Sequence, residues 1–406
     1  MKTILFKIQQ FPHLSETFIL NQIIMAIDLG YDVKILVKDV LDFEKSTHLA
    51  FLKKYRIEQK LIIDDYNIPE NKFLRLIKAG LILCRRSDWY QIISFIKLKS
   101  KFSLTWIYEV DFYSQFRKTD IIHVQYGTNV HPFDILKETG FLHGKLIVSF
   151  HGHDAFFPIN NFIQNNGYYN HLFTGDNLIV ANTPYLAKQL IKIGCAKNKI
   201  QIIPVPVDTS YFYPNGSFPE KNNNRISLIS VGRLEQIKGH EFGVLAVREL
   251  LNKGYNVRYA IIGEGQRRNE LELLINSNDL EEQVKLLGGK SHAEIREELW
   301  KSDVFLMTSV TFNNRIKETQ GLVTLEGQAS GLPVVAFDSG GVEYTILNGK
   351  TGFLCEEKNL SQYVNAVEKL ILDQDLRKSF GSNAEHFVKD TYSKEVISNK
   401  WKEIYG

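Results

Sequence analysis

Three cysteines in 406 residues, Cys84, Cys195 and Cys355, are too few and too scattered for a disulfide framework. None stands in a CxxC or Cys/His cluster that would hold zinc, and a reducing, cytoplasmic setting is the expectation. Long apolar runs are also missing. No stretch reaches the ~18 residues of a spanning helix, and the N-terminal MKTILFKIQQ is broken at Lys7 without a small-residue cleavage site, so neither secretion nor a membrane span is expected. Net charge is nearly absent: 49 Lys and Arg against 46 Asp and Glu leave +3, which excludes a dedicated nucleic-acid binder. Short internal repeats and low-complexity tracts are lacking too. What is present is a globular composition, 44% hydrophobic, 12% aromatic and 23% charged, with a length that predicts two domains.

The small net charge conceals an asymmetry. Residues 1–200 hold 25 Lys/Arg against 18 Asp/Glu, and residues 201–406 hold 24 against 28. Most of the excess lies in 72–101, where Lys72, Arg75, Lys78, Arg85, Arg86, Lys97, Lys99 and Lys101 face only Asp88 and alternate with Phe73, Leu74, Trp89, Tyr90, Phe95 and Phe102. Two readings follow. One is a basic amphipathic surface suited to an anionic membrane; the other is a pair of covering helices with Lys and Arg on the solvated side.

Short Ile/Val/Leu runs alternate with helical patterns along the whole chain, which is the signature of an α/β fold with buried parallel strands. Strands are predicted at 3–8, 32–37, 120–124, 145–150, 177–181 and 200–203, then at 226–231, 257–262, 284–287, 304–307, 333–336 and 352–354. The two halves repeat one architecture. Between them, 204–224 collects Pro204, Pro206, Pro214 and Pro219 with several asparagines, which is linker chemistry and sets the domain boundary.

In open parallel sheets ligands gather beyond the carboxyl ends of strands. After the strand at 226–231 come Gly232, Arg233 and Lys238, cations that can converge on a diphosphate or simply form a surface ion pair. After the strand at 257–262 stand Gly263 and Gly265, but Arg268 replaces the third glycine of a dinucleotide fingerprint; a tight turn approached by a ligand explains both glycines. In ETQGLVTLEGQASGLP, Glu318 and Glu326 have seven residues between them, and a helix starting near Gly321 would point the free amides of Gly321, Leu322 and Val323 at an anion. Each carboxylate can accept two hydroxyl hydrogen bonds, which suits a vicinal diol. His151, in FHGHD, could belong to a metal cluster with His153 and Asp154, but a third His or Cys is not evident, and no metal is expected. His123, at another strand end, reads as a core histidine.

Glu318 to Glu326 resembles the E-x7-E element of retaining glycosyltransferases of the GT-B fold, family 4. Gly232-Arg233, Lys238-Gly239, Gly263-Glu264-Gly265, Gly331-Leu332-Pro333, Gly340-Gly341 and Glu343 follow that family's order, and Phe11-Pro12 through Ile19 is similar to bacterial members that build exopolysaccharides and O-antigens. The resemblance implies two Rossmann-like parallel-sheet domains facing across a cleft: an acceptor domain, 1–204, to which a last helix at about 386–406 crosses back, and a nucleotide-sugar domain, 205–385.

It further implies transfer of a hexose-type sugar from a UDP- or GDP-sugar to a growing surface polysaccharide or lipid-linked saccharide, with the anomeric configuration retained. Arg233, Lys238 and the amides of Gly321 to Val323 would take the diphosphate, Glu326 the ribose and Glu318 the donor sugar, while His151 would sit near the transferred sugar. Ser15, Glu16, Thr17, His123 and Asp154 are the candidate acceptor contacts. The implied setting is the cytoplasm, peripheral to the inner membrane face. Two alternatives differ in class. One is a catalytically silent nucleotide-sugar-binding subunit, against which the retained charged residues argue; the other is a pyridoxal-phosphate phosphorylase, for which no recognisable lysine site appears.

Overall fold

Seven strands of the first half form one parallel sheet: β1 (Thr3–Phe11), β2 (Asp32–Val40), β3 (Leu61–Ile63), β4 (Ile121–Gln125), β5 (Lys145–Phe150), β6 (Leu178–Ala181) and β7 (Ile200–Ile202). Six strands of the second half form another: β8 (Ile226–Val231), β9 (Val257–Ile262), β10 (Val284–Leu286), β11 (Val304–Met307), β12 (Val334–Phe337) and β13 (Gly352–Cys355). The computed structural model describes residues 1–406 apart from 14–16, 47–48, 100–102, 214–224 and 314. The orders are β3-β2-β1-β4-β5-β6-β7 and β10-β9-β8-β11-β12-β13. Both are doubly wound orders of the Rossmann kind, with the winding reversing between β1 and β4 and between β8 and β11.

The chain divides into two compact units. Met1–Ala181, Ala187–Ile202 and Lys402–Gly406 make the first, and Asn182–Leu186 with Ile203–Trp401 make the second. The division falls at 202/203, two residues before the boundary drawn from the prolines, and of the last helix, Lys394–Tyr405, only the end groups with the first unit.

Alternation along the strands of the second sheet sends side chains to two separate cores. Leu228, Leu306, Val335 and Phe337 join one, with Val244, Val247 and Leu250 of the helix His240–Asn252; Ile229, Phe305, Met307, Val334 and Ala336 join the other, with Leu325 and Ala329. Both faces are covered, so these strands read as unbroken apolar runs. The first sheet hides one charge. Lys7 is buried and pairs at 2.5 Å with Asp64, which also accepts from the Tyr113 hydroxyl at 3.2 Å. Burial lowers the Lys7 pKa against the pull of Asp64. Asp64 follows β3, a three-residue strand absent from the predicted set.

The chain end closes a polar interior in the first unit. Tyr405 Oη pairs with His123 Nδ1 at 2.7 Å, while His123 Nε2 pairs with Ser149 Oγ at 2.8 Å. Tyr405→Phe strands a buried ring nitrogen and is expected to lower stability by about 1–3 kcal/mol, read as a drop in the urea unfolding midpoint at constant slope.

Candidate active site

In the second unit the chemistry gathers at the β8/β11 switch point. The segment after β8 runs through Gly232 and Arg233 to Lys238, and the segment after β11 brings Glu318 to it, so that the Lys238 ammonium and the Glu318 carboxylate form an ion pair. Both side chains are half-buried, 18% and 17% exposed. Burial alone would raise the Glu318 pKa, but Lys238, and Arg233 behind it, outweigh burial and hold the carboxyl below its ordinary value. Arg233 itself is 73% exposed and pairs with Glu235 at 2.8 Å, so it is free to swing toward an anion at little cost.

Glycines hold this pair in place. Gly239, with φ of 60°, turns the chain directly after Lys238, and a Cβ there would lie 2.2 Å from the Thr308 carbonyl oxygen. Gly340 and Gly341 let their loop lie against the backbone of Glu318 and Thr319, where added Cβ atoms would stand 2.3 and 1.8 Å from the two carbonyl oxygens; the Gly341 amide donates to Glu318 O at 2.7 Å. Gly263 and Gly265 are required by packing of the protein's own backbone. Added Cβ atoms would meet Gly232 O at 1.9 Å and Leu234 O at 2.5 Å, so these glycines admit the neighbouring loop and serve the site by placing it. Gly232 is not crowded by backbone, and a Cβ added there would lie 3.5 and 3.7 Å from the Lys238 and His240 side chains.

The expected helix is Leu322–Ala329, capped by Gly321 at φ of 76°. Its first amides lack intrahelical acceptors by geometry and carry the positive end of the helix dipole. Half-buried Leu322 and Val323 open it, and Glu326 lies one turn in. No described residue hydrogen-bonds the Glu326 carboxylate, and burial pushes its pKa up to about 7. Between 4.5 and about 7 the folded protein holds a proton that the unfolded chain releases, so this group's contribution to stability falls as pH rises through that window.

Two residues at this site carried no sequence signal. Gln320 is buried and clamps the loop before the helix to Val205, accepting from its amide and donating to its carbonyl, both at 2.9 Å. His240, also buried, lies beneath Gly232, and desolvation aided by Lys238 lowers its pKa to about 4. A bent turn and a helix start give no pattern from which either role can be read.

In the first unit His151 follows β5. Its Nε2 pairs with Gln125 Oε1 at 2.9 Å, and the rings of Phe18 and Tyr126 lie 4.8 and 4.6 Å away, centre to centre. Burial lowers the His151 pKa to about 4, Asp154 opposing, so the imidazole is neutral near pH 7. Gln125, fully buried in β4, continues to Gln22 Oε1 at 2.7 Å and lies 3.4 Å from His123 Nε2.

Two candidate acceptor contacts are corrected here. His123 is fully buried within the sheet and engaged by Tyr405 and Ser149, and burial lowers its pKa to about 3, so it is a core group. Asp154 is equally buried and accepts from the amides of Gly127, His151 and Gly152 at 2.8, 3.1 and 2.8 Å, so it shapes the turn that presents His151. Thr17 opens the helix Thr17–Asp28, whereas Ser15 and Glu16 lie outside the described residues. Among the described residues no cluster of three or more His, Cys, Asp and Glu is arranged to hold a metal ion.

Two Rossmann-like parallel-sheet units, the second with a cation–carboxylate pair and a glycine-capped helix at its switch point, define a GT-B glycosyltransferase. Residues 217–387 match the family described as glycosyl transferases group 1, and residues 86–211 match glycosyltransferase family 4. AmsK of Erwinia amylovora, an amylovoran biosynthesis glycosyltransferase, is 30% identical over 86% of this chain and 85% of its own. WcaL of Escherichia coli K12, a glycosyltransferase named for colanic acid biosynthesis, is 29% identical over 97% of both. The chain therefore belongs to this glycosyltransferase family. Solved structures agree on the fold: Anabaena HepE with UDP superposes with a TM-score of 0.71 at 17% identity, covering 100% of this chain and 99% of that one. A Rickettsia africae glycosyltransferase gives 0.71 at 22% identity, covering 100% and 98%.

Two outcomes test the site. A ligand whose hydroxyls are accepted by ionised Glu326 binds more tightly as pH rises through about 7, and Glu326→Gln flattens that dependence in calorimetric titrations with UDP and GDP. Gln125→Ala releases the His151 ring and is expected to lower kcat by up to about a hundredfold while nucleotide affinity is kept.

Proposed function

We propose that this glycosyltransferase moves a hexose-type sugar from a UDP- or GDP-sugar to a growing surface polysaccharide or lipid-linked saccharide, with retention of configuration and without a metal ion. The observation that carries this reading is the Lys238–Glu318 pair at the β8/β11 switch point, beside the glycine-capped helix that bears Glu326. AmsK and WcaL, named for amylovoran and colanic acid biosynthesis, support the acceptor class, and HepE, solved with UDP and with UDP-glucose, supports the donor class.

Bond breaking at the sugar places negative charge on the departing diphosphate. Lys238, a swung-in Arg233 and the amides of Gly321 to Val323 are aimed at that charge, and one well-placed donor of this kind contributes about 3 kcal/mol to the barrier reduction. With these cations in that role no divalent ion is required. Glu326 accepts the ribose hydroxyls and Glu318 those of the transferred sugar. Neutral His151, its Nε2–H donated to Gln125, lies near that sugar without adding charge. The acceptor hydroxyl attacks the face from which the diphosphate departs, its proton passes to the leaving phosphate, and the configuration is kept. The acceptor side belongs to the first unit, at the inner face of the membrane.

The test is release of UDP or GDP from a panel of nucleotide sugars with and without a chelator, with the product anomer assigned by NMR. Turnover is expected with one base, indifferent to the chelator, with the donor's anomeric configuration in the product. Lys238→Ala and Glu318→Ala should each lower kcat by about 100- to 1,000-fold. Nucleotide binding without turnover across the panel would instead make the chain a silent subunit.

A further inference from the structure

The helix Lys72–Cys84 is apolar on the wrong side for a covering helix. It packs inward through Ala79 and Ile82, which meet Ile107 and Tyr108 of the helix Thr105–Tyr113. At 3.6 residues per turn, Phe73, Leu74, Ile77 and Leu81 fall within about 100° of one another on the opposite face. They are 70%, 55%, 44% and 51% exposed, and Leu76 beside them 61%. The helix Trp89–Leu98 repeats the arrangement. Ile92 and Phe95 are buried, while Trp89, Tyr90 and Ile93 are exposed, Tyr90 at 79%. Lys72, Lys78, Arg85 and Lys97 are exposed, as a pair of covering helices would have them, but large apolar side chains share that outer side with the cations.

Within 72–99 the exposed charge is of one sign. Asp88, the acid of the segment, is buried and neutralised by Arg86 at 2.7 Å and Arg117 at 3.0 Å, and Lys99 is taken by Glu109 at 3.3 Å. Lys72, Arg85 and Lys97 are exposed and form no ion pair with a described residue, and Lys78 bonds a carbonyl oxygen, that of Asn67, at 2.8 Å and so keeps its charge uncompensated. Glu70, just before the first helix, is the nearby exposed acid in sequence. Lys101 lies outside the described residues.

We propose that the outward faces of Lys72–Cys84 and Trp89–Leu98 form a docking surface for an anionic lipid bilayer. Apolar side chains enter the interfacial region, Trp89 and Tyr90 lie at headgroup depth where amphipathic rings are favoured, and Lys72, Lys78, Arg85 and Lys97 meet the lipid charges. A second copy of this chain fits less well, because a two-fold interface brings the same patch against itself and sets these cations toward one another. No helix among the described residues is long and apolar enough to cross a membrane, so the contact is peripheral. It brings a soluble donor site to a lipid-carried acceptor, and in that respect rests on the function proposed above.

Flotation of the full chain with phosphatidylglycerol/phosphatidylcholine vesicles, without donor or acceptor, tests this independently of catalysis. Wild type should float with the mixed vesicles, release as salt is raised, and stay down with phosphatidylcholine alone. Each basic residue contributes about fivefold to partitioning, so Lys72→Gln/Arg85→Gln/Lys97→Gln together should cost about a hundredfold. Phe73→Ser/Ile77→Ser/Leu81→Ser should also abolish flotation while thermal unfolding and nucleotide release from a soluble donor stay at wild-type levels, these side chains being exposed. Failure of wild type to float, equal flotation with neutral vesicles, or flotation indifferent to both variants would overturn the proposal. So would a concentration-dependent dimer that the serine variant dissociates, which would make a second copy the occupant.

Discussion

An ammonium and a carboxylate, Lys238 and Glu318, held together half out of water, are what the second unit is arranged around. Half-buried charges are stable only when paired, since desolvation of either alone would shift its pKa toward neutrality. The pairing needs two loops from non-adjacent stretches of sequence at one point, and parallel winding supplies this by reversing between β8 and β11. Close approach then needs backbone without side chains. Gly239, Gly340 and Gly341 each lie where a Cβ would overlap a carbonyl oxygen, and Gln320 ties the same loop to Val205. The pair keeps Glu318 ionised, whereas Glu326, eight residues on and without a partner among the described residues, is pushed the other way. Two carboxylates of one motif thus differ in protonation because one has a cation beside it and the other has only burial.

The first unit depends on a neutral polar interior. His151, Gln125, His123 and Tyr405 follow one another by hydrogen bonds or close approach through the sheet, and burial lowers the pKa of both histidines. Neutral rings accept and donate without the cost of a buried charge. Asp154 bonds three backbone amides and so fixes the turn that carries His151. The last residues of the chain therefore support a histidine placed by the middle of the first unit. Sequence distance gives no hint of that.

Much of the fold was legible beforehand. Strands β8, β9 and β11 have the predicted bounds, and β5 likewise, because buried parallel strands are continuous apolar runs ended by turn residues. The miss was β3, and with it Asp64, the partner that allows Lys7 inside β1. At the site, charged residues and the glycine before a helix could be read because their chemistry is unusual at strand ends. The reason for a particular glycine could not, and at Gly263 and Gly265 the close neighbour proved to be the protein's own loop.

What the sequence determined by itself was the α/β class, the repeat of one architecture in two halves, the family and the order of its charged motifs, since each is carried by local pattern or residue identity. It also showed a basic segment with aromatic residues at 72–101. Tertiary structure decided the rest: that Lys238 meets Glu318, that Asp154 and His123 face inward, and that Phe73, Ile77 and Leu81 face outward beside their cations. Helical periodicity can place residues on one face, but which face is buried depends on where the helix Thr105–Tyr113 lies, and there the small contact of Ala79 and Ile82 takes the inner side. Burial and pairing are properties of packed neighbours, and neighbours far apart in sequence exist only once the chain has folded.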